Sequence, residues 1–218
     1  MHGENISFAY GFWSLVIVNI GLFAFFLLSF LPPLKKREWR SMGVTLAFFV
    51  ALFTEMYGFP LTIYILTGLL GSKYPVLNPF SHSSGHLWLV WFGGGPAMMA
   101  VIHLISNGLV IIGFTIMWKG WKLIHAEKSG LVMEGPYAYA RHPQYSGLFL
   151  VVIGMLIQWP TFITAAMFPV LIYVYYRLSK REEDDMIKAY GDEYRRYRET
   201  TPMFMPKWGG KRDAKAPV

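Results

Sequence analysis

The sequence predicts an all-α integral membrane protein with about five transmembrane helices, a C-terminal helical hairpin and a cytoplasmic amphipathic helix. Of its 218 residues, 54% are apolar and only 15% are charged, whereas about a quarter of the residues in a soluble domain are charged. Several apolar segments also reach the length of about 20 residues that a helix needs to cross a bilayer. These observations argue against a water-soluble domain and make the lipid bilayer a partner. The absence of cysteine excludes disulfides, thiolate metal sites and a cysteine nucleophile.

Apolar runs separated by polar segments define the predicted helices. The second run is too long for one straight crossing and contains Gly58 and Pro60. We therefore expect a kink or a re-entrant tip, with the break near Tyr57. A single residue, Pro160, separates the last two runs, which predicts a tight helical hairpin. The predicted spans are Phe8 to Leu31, Met42 to Leu70, Ala97 to Trp118, Tyr145 to Trp159 and Thr161 to Tyr176.

Positively charged residues mark the predicted cytoplasmic side. Every Lys and Arg except Lys73 lies in the first loop, in the third loop or after Tyr176. By the positive-inside rule, this distribution places the N-terminus outside and the C-terminus in the cytoplasm. The segment from Gly71 to Pro96 is then a long external loop. The net charge of +7 reflects this orientation, so we expect no nucleic-acid partner.

The order of apolar runs, motifs and charged segments divides the chain into three parts. Residues 1–122 hold about three transmembrane helices and the external loop. Residues 123–208 hold the helical hairpin and the motifs that could carry chemistry. Residues 209–218 form a basic tail that we expect to be disordered.

The most informative stretch, Leu131 to Gly147, reads LVMEGPYAYARHPQYSG and lies where a cytoplasmic loop meets the fourth helix. Pro143 suits the first turn of that helix, where its missing N–H costs nothing. The free N–H groups of the next three residues are predicted to form an anion site beside Arg141 and His142. These three donors are the N–H groups of Gln144, Tyr145 and Ser146. The residues alone equally allow Arg141 and His142 to be interface anchors on a positive loop.

A second group of charged residues, Arg181 to Asp185, lies on the helix that leaves the fifth span, which we expect to end before Gly191 and to be followed by a shorter helix. Such a run is usually a solvated helix face. The hairpin nevertheless brings its two cytoplasmic ends together, so we expect His142 and Glu182 to be close although they are distant in sequence. An acidic pair opposite a basic helix start suits a zwitterionic or sulfonium ligand, because carboxylates and aromatic faces stabilise cations.

These two motifs resemble the isoprenylcysteine carboxyl methyltransferases and their phospholipid methyltransferase-like relatives. The matching pattern is Leu-Val-x-x-Gly-Pro-Tyr-x-x-x-Arg-His-Pro-x-Tyr-x-Gly and then, after the hairpin, Glu-Glu-x-x-(apolar)-x-x-x-(aromatic)-Gly-x-x-Tyr-x-x-Tyr. A terminal Pro-x-x-x-Pro completes it, so the resemblance covers roughly Leu123 to Pro206. It implies a methyltransferase that binds S-adenosylmethionine at the cytoplasmic membrane face, and it makes residues 123–208 the cofactor-binding core.

The resemblance also implies roles for individual residues. Arg141, His142 and Glu182 are the candidate catalytic residues. Glu182 would close the cofactor pocket from the second arm of the hairpin, and Glu183 would support it. The remaining candidate cofactor-binding residues, which line the adenosyl part or hold the methionyl end, are Ser129, Gly130, Leu131, Val132, Tyr137, His142, Pro143, Gln144 and Tyr145.

One departure from the family pattern concerns the methyl acceptor. In the eukaryotic prenylcysteine enzymes an arginine before the acidic pair holds the substrate carboxylate, and the corresponding residue here is Leu178. Arg177 and Arg181 flank it and are the candidate substrate contacts. The acceptor is therefore left open between a prenylcysteine carboxylate, a lipid amine and a small thiol.

Three other polar residues carry weaker signals. Glu55 is an acid inside a predicted span, which indicates either function or a protonated side chain bonded to a neighbour such as Asn107 or His103. His82 and His86 have a spacing that could bind a metal on a helix. No third ligand lies nearby in the sequence, so we assign no metal site.

Two other functional classes compete with the methyltransferase. A sterol-reductase-like enzyme using NADPH would share the hairpin and an Arg-His-Pro-like motif, but the acidic pair Glu182-Glu183 opposes binding of the cofactor phosphates. A non-catalytic membrane accessory protein would tolerate replacement of His142 or Glu182, whereas a methyltransferase would lose cofactor binding.

Overall fold

A computed structural model describes residues 11–31, 36–70, 82–126 and 130–206. All regular structure in these ranges is helical. The first residues of the first predicted span, much of the external loop, Ser129 and the basic tail lie outside the described residues. The α-helices are α1 (Trp13–Phe30), α2 (Lys36–Phe53), α3 (Leu61–Leu70), α4 (Leu87–Phe92), α5 (Pro96–Ala126), α6 (Pro143–Gln158), α7 (Phe162–Tyr190) and α8 (Asp192–Thr200).

Four helices among the described residues are long and apolar enough to cross a membrane. They are Trp13–Phe30, Glu38–Gly58, Pro96–Ala126 and Phe162–Tyr190. The predicted fourth span corresponds to α6, which has 16 residues and is therefore about 24 Å long. That length falls short of a straight crossing of the hydrocarbon core, which is about 30 Å thick. Three residues, rather than one, separate α6 from α7.

The predicted break near Tyr57 is confirmed. A π-helical turn, Thr54–Gly58, ends α2, and α3 begins after Pro60. The backbone N–H groups of Gly11 and Phe12 donate to the Tyr57 carbonyl at 2.9 and 3.0 Å, so the start of α1 satisfies an acceptor that the break exposes.

Glu55 lies within this break and is buried, with 4% of its surface exposed. The predicted neighbours, Asn107 and His103, are not its partners. Its carboxylate instead accepts from the backbone N–H and the hydroxyl of Thr62, at 2.8 and 2.9 Å. The Thr62 hydroxyl in turn accepts from the N–H of Phe162 at 3.0 Å. Glu55 therefore joins the break in α2 to the starts of α3 and α7, which is a structural role.

The helices α5 and α6 pack closely along their length, because glycines let the backbones approach. A Cβ atom at Gly113 would lie 2.5 Å from the carbonyl oxygen of Gly147, and a Cβ at Gly147 would lie 2.5 Å from that of Gly113. Two turns along α6, a Cβ at Gly154 would lie 2.8 Å from the Ser106 carbonyl oxygen. Since 113 pairs with 147 and 106 with 154, the two helices run antiparallel. Small residues at such interfaces are typical of membrane helices.

The apolar core lies where α1, α2, α5, α6 and α7 meet. Its fully buried side chains come mainly from α2 and α6 and are joined by one residue of α5 and by Leu171 and Tyr175 of α7. They include Phe48, Phe49, Leu52, Met117, Leu148, Val151, Val152 and Leu171.

Beyond the core, α7 continues as one helix to Tyr190. Gly191 follows with φ of +56°, a left-handed value that glycine adopts readily. This residue separates α7 from α8, as the sequence predicted. In α8, Tyr194 and Tyr197 are buried and face the rest of the protein.

Replacing Gly113 by Ala is expected to destabilise the protein by about 1–3 kcal/mol, because the added methyl group meets backbone that cannot move aside. Gly108→Ala on the same helix is the matched control, since a Cβ there meets nothing within 4 Å. That change should leave stability unchanged or raise it by up to about 1 kcal/mol through helix propensity. Denaturation in detergent measures both, and equal stability of the two variants would contradict the packing.

Candidate active site

The first turn of α6 organises the candidate site. Pro143 is the first helical residue, as predicted, and His142 is the N-cap. The predicted anion site is smaller than expected, because the N–H groups of Tyr145 and Ser146 both donate to the His142 carbonyl at 3.1 Å. Within the described part of the chain, only the N–H of Gln144 is left for a ligand at this helix start.

A buried ion pair joins this turn to α7. Nε and Nη2 of Arg141 lie 2.8 and 2.7 Å from Oε1 of Glu183. The two side chains are 8% and 1% exposed, so water screens them little. Arg141 also donates to the Arg198 carbonyl at 2.9 Å and to the Thr201 carbonyl. Its guanidinium is thus fully engaged in holding α6, α7 and the end of α8 together.

His142 lies between the two acidic residues of α7. Its Nδ1 is 3.4 Å from Glu182, and its Nε2 is 3.5 Å from Glu183. The predicted proximity of His142 and Glu182 is therefore confirmed. Burial favours the neutral imidazole, but hydrogen bonds and charge from the two carboxylates outweigh it and raise the pKa of His142 above its ordinary value.

Tyr145 completes this cluster. Its hydroxyl donates to Glu182 at 2.6 Å. Its ring lies nearly parallel to the His142 ring, with centroids 5.7 Å apart. Glu182 is 25% exposed, so this carboxylate is the accessible member of the acidic pair.

The C-terminal segment crosses the start of α6, a feature that the sequence motifs did not reveal. The N–H groups of Arg141 and His142 donate to the carbonyls of Pro202 and Met203 at 2.9 and 3.0 Å. The Ser146 hydroxyl donates to the Phe204 carbonyl at 2.7 Å. The terminal Pro-x-x-x-Pro marks this segment in the sequence, but nothing in that motif identifies its partners.

Tyr137 is buried beside the same helix start. Its carbonyl accepts from the Tyr197 hydroxyl at 2.6 Å. Its own hydroxyl has no hydrogen-bond partner among the described residues and lies beside Gly120 of α5, where an added Cβ atom would be 3.7 Å from it. Burial raises the pKa of Tyr137 and raises that of Tyr194 to about 12. Tyr137 therefore stays a neutral donor that a ligand could satisfy.

The loop before Tyr137 supplies the other predicted cofactor residues. Gly130 has φ of +130°, and its carbonyl accepts from the Tyr190 hydroxyl at 3.1 Å. Leu131 and Val132 are half-buried and follow directly. This contact holds the loop against the end of α7, about two turns beyond Glu183. Ser129 lies outside the described residues.

The structure does not bring the two candidate substrate arginines to the cluster. Arg177 and Arg181 are exposed, and Arg177 donates to the Tyr173 hydroxyl at 3.2 Å on the outer face of α7. Leu178, by contrast, is buried and 5% exposed. The face of α7 that meets the site therefore carries leucine where the prenylcysteine enzymes have arginine.

The histidines near the external loop lie far along the helices from this cluster. The His86 ring packs against His103 and Trp159, with centroids 5.5 and 4.9 Å away. The side chain of His82 is outside the description. Among the described residues, no three acidic or histidine side chains are grouped for a metal ion.

Comparison with known proteins shows what the part of the chain that carries this cluster is similar to. Residues 96–193, from the start of α5 into α8, match the phospholipid methyltransferase family. The predicted family resemblance is confirmed. The protein-S-isoprenylcysteine O-methyltransferase of Schizosaccharomyces pombe is 33% identical over 79 residues, covering 35% of this chain and 33% of the relative. The mouse enzyme of the same name is 31% identical over 125 residues, covering 51% and 44%.

A bacterial relative matches about half of the chain. The nickel-cobalt-cadmium resistance protein NccN of Alcaligenes xylosoxydans xylosoxydans is 26% identical over 107 residues, which is 48% of this chain and 50% of that protein. The matched segments thus span between a third and a half of the relatives' own length. These comparisons do not favour the alternative of a reductase. The matched residues begin at α5, so α1, α2 and α3 lie outside the family match.

Protonated His142 should stabilise the protein in a pH-dependent way. Because its folded pKa is raised above the ordinary value of about 6.5, its contribution is fully present below pH 6.5 and is lost as pH rises through the folded pKa. The stability difference between the wild type and His142→Gln should therefore shrink with rising pH. Thermal unfolding in detergent across this range measures it, and a pH-independent difference would contradict the ionic contact.

Proposed function

We propose that the protein is a membrane-embedded, S-adenosylmethionine-dependent methyltransferase that acts on a lipid-like or small acceptor. The observation that carries the proposal is the joining of both family motifs into one cluster, in which His142 lies 3.4 Å from Glu182 and Arg141 is paired with Glu183. The family match over residues 96–193 supports the same reaction class.

The groups left available around α6 fit the charges of S-adenosylmethionine. Its carboxylate would bind the N–H of Gln144 at the positive end of α6. Its cationic groups would face Glu182 and the ring of Tyr145. The unpartnered hydroxyl of Tyr137 and the unpartnered Oε2 of Glu183 offer a buried donor and a buried acceptor. Gly130, Leu131 and Val132 would line the adenosyl part.

When bound, the cofactor supplies an electrophilic methyl group on a sulfonium centre. The protein must then align the acceptor with that group and exclude water. His142 and Glu182 are held by Arg141, Tyr145 and Glu183, so their positions are set before ligands bind. Arg141 acts in this arrangement by positioning, because its donors are already occupied by protein oxygens.

The proposed membrane arrangement has five crossings, with the N-terminus outside and the C-terminus in the cytoplasm. The shorter α6 and the apolar part of α7 form the hairpin, and α8 is the cytoplasmic amphipathic helix. The site then lies at the cytoplasmic interface, where a lipid-like acceptor can enter from the side. The predicted boundary between residues 122 and 123 falls within α5, which packs along α6.

Calorimetry with S-adenosylhomocysteine tests this function. The wild type in detergent should bind it with micromolar affinity, and Glu182→Gln should weaken binding about tenfold or more, because a charge-assisted contact is lost. The matched control is Glu193→Gln, the same change at an exposed residue of α8, which should bind like the wild type. Absence of binding by folded wild-type protein would exclude the methyltransferase.

A further inference from the structure

Two histidines lie together beside the end of α6 that is farthest from His142. His86 comes directly before α4, and His103 lies in the second turn of α5. Their ring centroids are 5.5 Å apart. The His86 ring also packs edge-on against Trp159, the residue that follows α6. Because α6 is about 24 Å long, this histidine pair is separate from the candidate active site at the start of that helix.

The position of His86 is fixed by contacts of the residues on either side of it. Gly85 packs so closely on the ring of Trp159 that a Cβ atom at this position would overlap the ring. The indole N–H of Trp88 donates to the Ile157 carbonyl at 2.8 Å. Both contacts hold the start of α4 against the end of α6. His86 itself is only 7% exposed, so its ring is held in place before any ligand binds.

His103 places an unsatisfied nitrogen in the same region. Its Nε2 is buried and has no hydrogen-bond partner among the described residues. One turn along α5, the Ser106 hydroxyl donates to Gln158 at 2.9 Å, so that hydroxyl is already used. A buried polar atom without a partner costs stability, which indicates that a ligand completes it. The His103 side chain as a whole is only partly buried, so a small ion can reach it.

The spacing of the two rings agrees with that of two imidazoles bound to one metal ion. A metal ion such as Zn²⁺ lies about 2.0–2.1 Å from an imidazole nitrogen, and therefore about 3.2 Å from the centre of the ring. Two imidazoles at a tetrahedral angle then have centroids about 5 Å apart. The observed separation of 5.5 Å is close to this value, so the pair needs little movement to share an ion.

The sequence around the pair carries no charge that would repel or compete for such an ion. No Lys, Arg, Asp or Glu occurs between residues 74 and 118 or between residues 142 and 176. These stretches contain α4, most of α5, all of α6 and the first half of α7. The available ligands are therefore imidazoles, which suit transition metals such as Zn²⁺, Cu²⁺ and Ni²⁺, whereas Mg²⁺ prefers oxygen ligands.

We propose that His86 and His103 bind one divalent transition-metal ion through their imidazole nitrogens, with water in the remaining coordination positions. The ion ties the start of α4 to α5, at the end of α6 opposite to the candidate active site. The spacing in the sequence paired His86 only with His82, whereas the structure supplies His103 from a different helix. This site is independent of the proposed methyltransferase reaction.

Calorimetric titration of tag-free protein in detergent with ZnCl₂ tests the site. The wild type should bind one Zn²⁺ ion in a saturable way and should not bind Mg²⁺. His86→Gln and His103→Gln should each weaken Zn²⁺ binding about tenfold or more, because loss of even an outer-shell partner of a metal costs roughly 10–100-fold in affinity. The matched control is His125→Gln, the same change at an exposed histidine near the other end of α5, which should bind like the wild type.

A cysteine variant separates the loss of a ligand from misfolding. A thiolate also binds Zn²⁺, so His103→Cys, the only cysteine in such a chain, should retain the binding that His103→Gln loses. Zn²⁺ should also raise the Tm of the wild type, because an ion that binds the folded state stabilises it, and should not raise that of the two glutamine variants. Absence of Zn²⁺ binding by folded wild-type protein, unchanged binding in either glutamine variant, or loss of binding in His103→Cys would overturn the proposal.

Discussion

The buried ion pair between Arg141 and Glu183 is the interaction on which the site depends. Two charges with little exposed surface stabilise each other when they face each other closely and their other polar atoms are bonded. Arg141 bonds also to the carbonyls of Arg198 and Thr201, whereas Oε2 of Glu183 has no partner among the described residues. One guanidinium therefore fixes α6, α7 and the C-terminal segment together, and it leaves Glu182, the neighbouring acid, accessible.

The apolar packing determines where along α6 and α7 this ion pair forms. Gly113 and Gly147 bring the backbones of α5 and α6 into contact, which anchors the helix that begins at Pro143. On the other side, Glu55 and Thr62 fix the start of α7. With both helices anchored by this packing, the ends that carry His142 and Glu182 have little freedom, so the two residues meet in a defined arrangement.

Sequence patterns predicted the features that depend on local chemistry. Proline at the first turn of α6, the break near Tyr57 and the glycine that separates α7 from α8 follow from backbone preferences. Other features depend on packing between segments that are distant in the sequence, so the pattern of one sequence does not predict them. They are the partner of Glu55, the C-terminal segment over His142 and the outward position of Arg177. The sequence predicted three free N–H groups after Pro143, but two of them donate to the His142 carbonyl.

The central claim is that the loop before α6 and the acidic end of α7 form one cofactor site. Hydrogen–deuterium exchange with and without S-adenosylhomocysteine tests it most directly, because backbone protection reports where a ligand binds. The account predicts slower exchange in residues 130–144 and around Glu182, with no change in α4. Protection confined to α4 or to the helix ends farthest from His142, or no protection with saturating ligand, would contradict it.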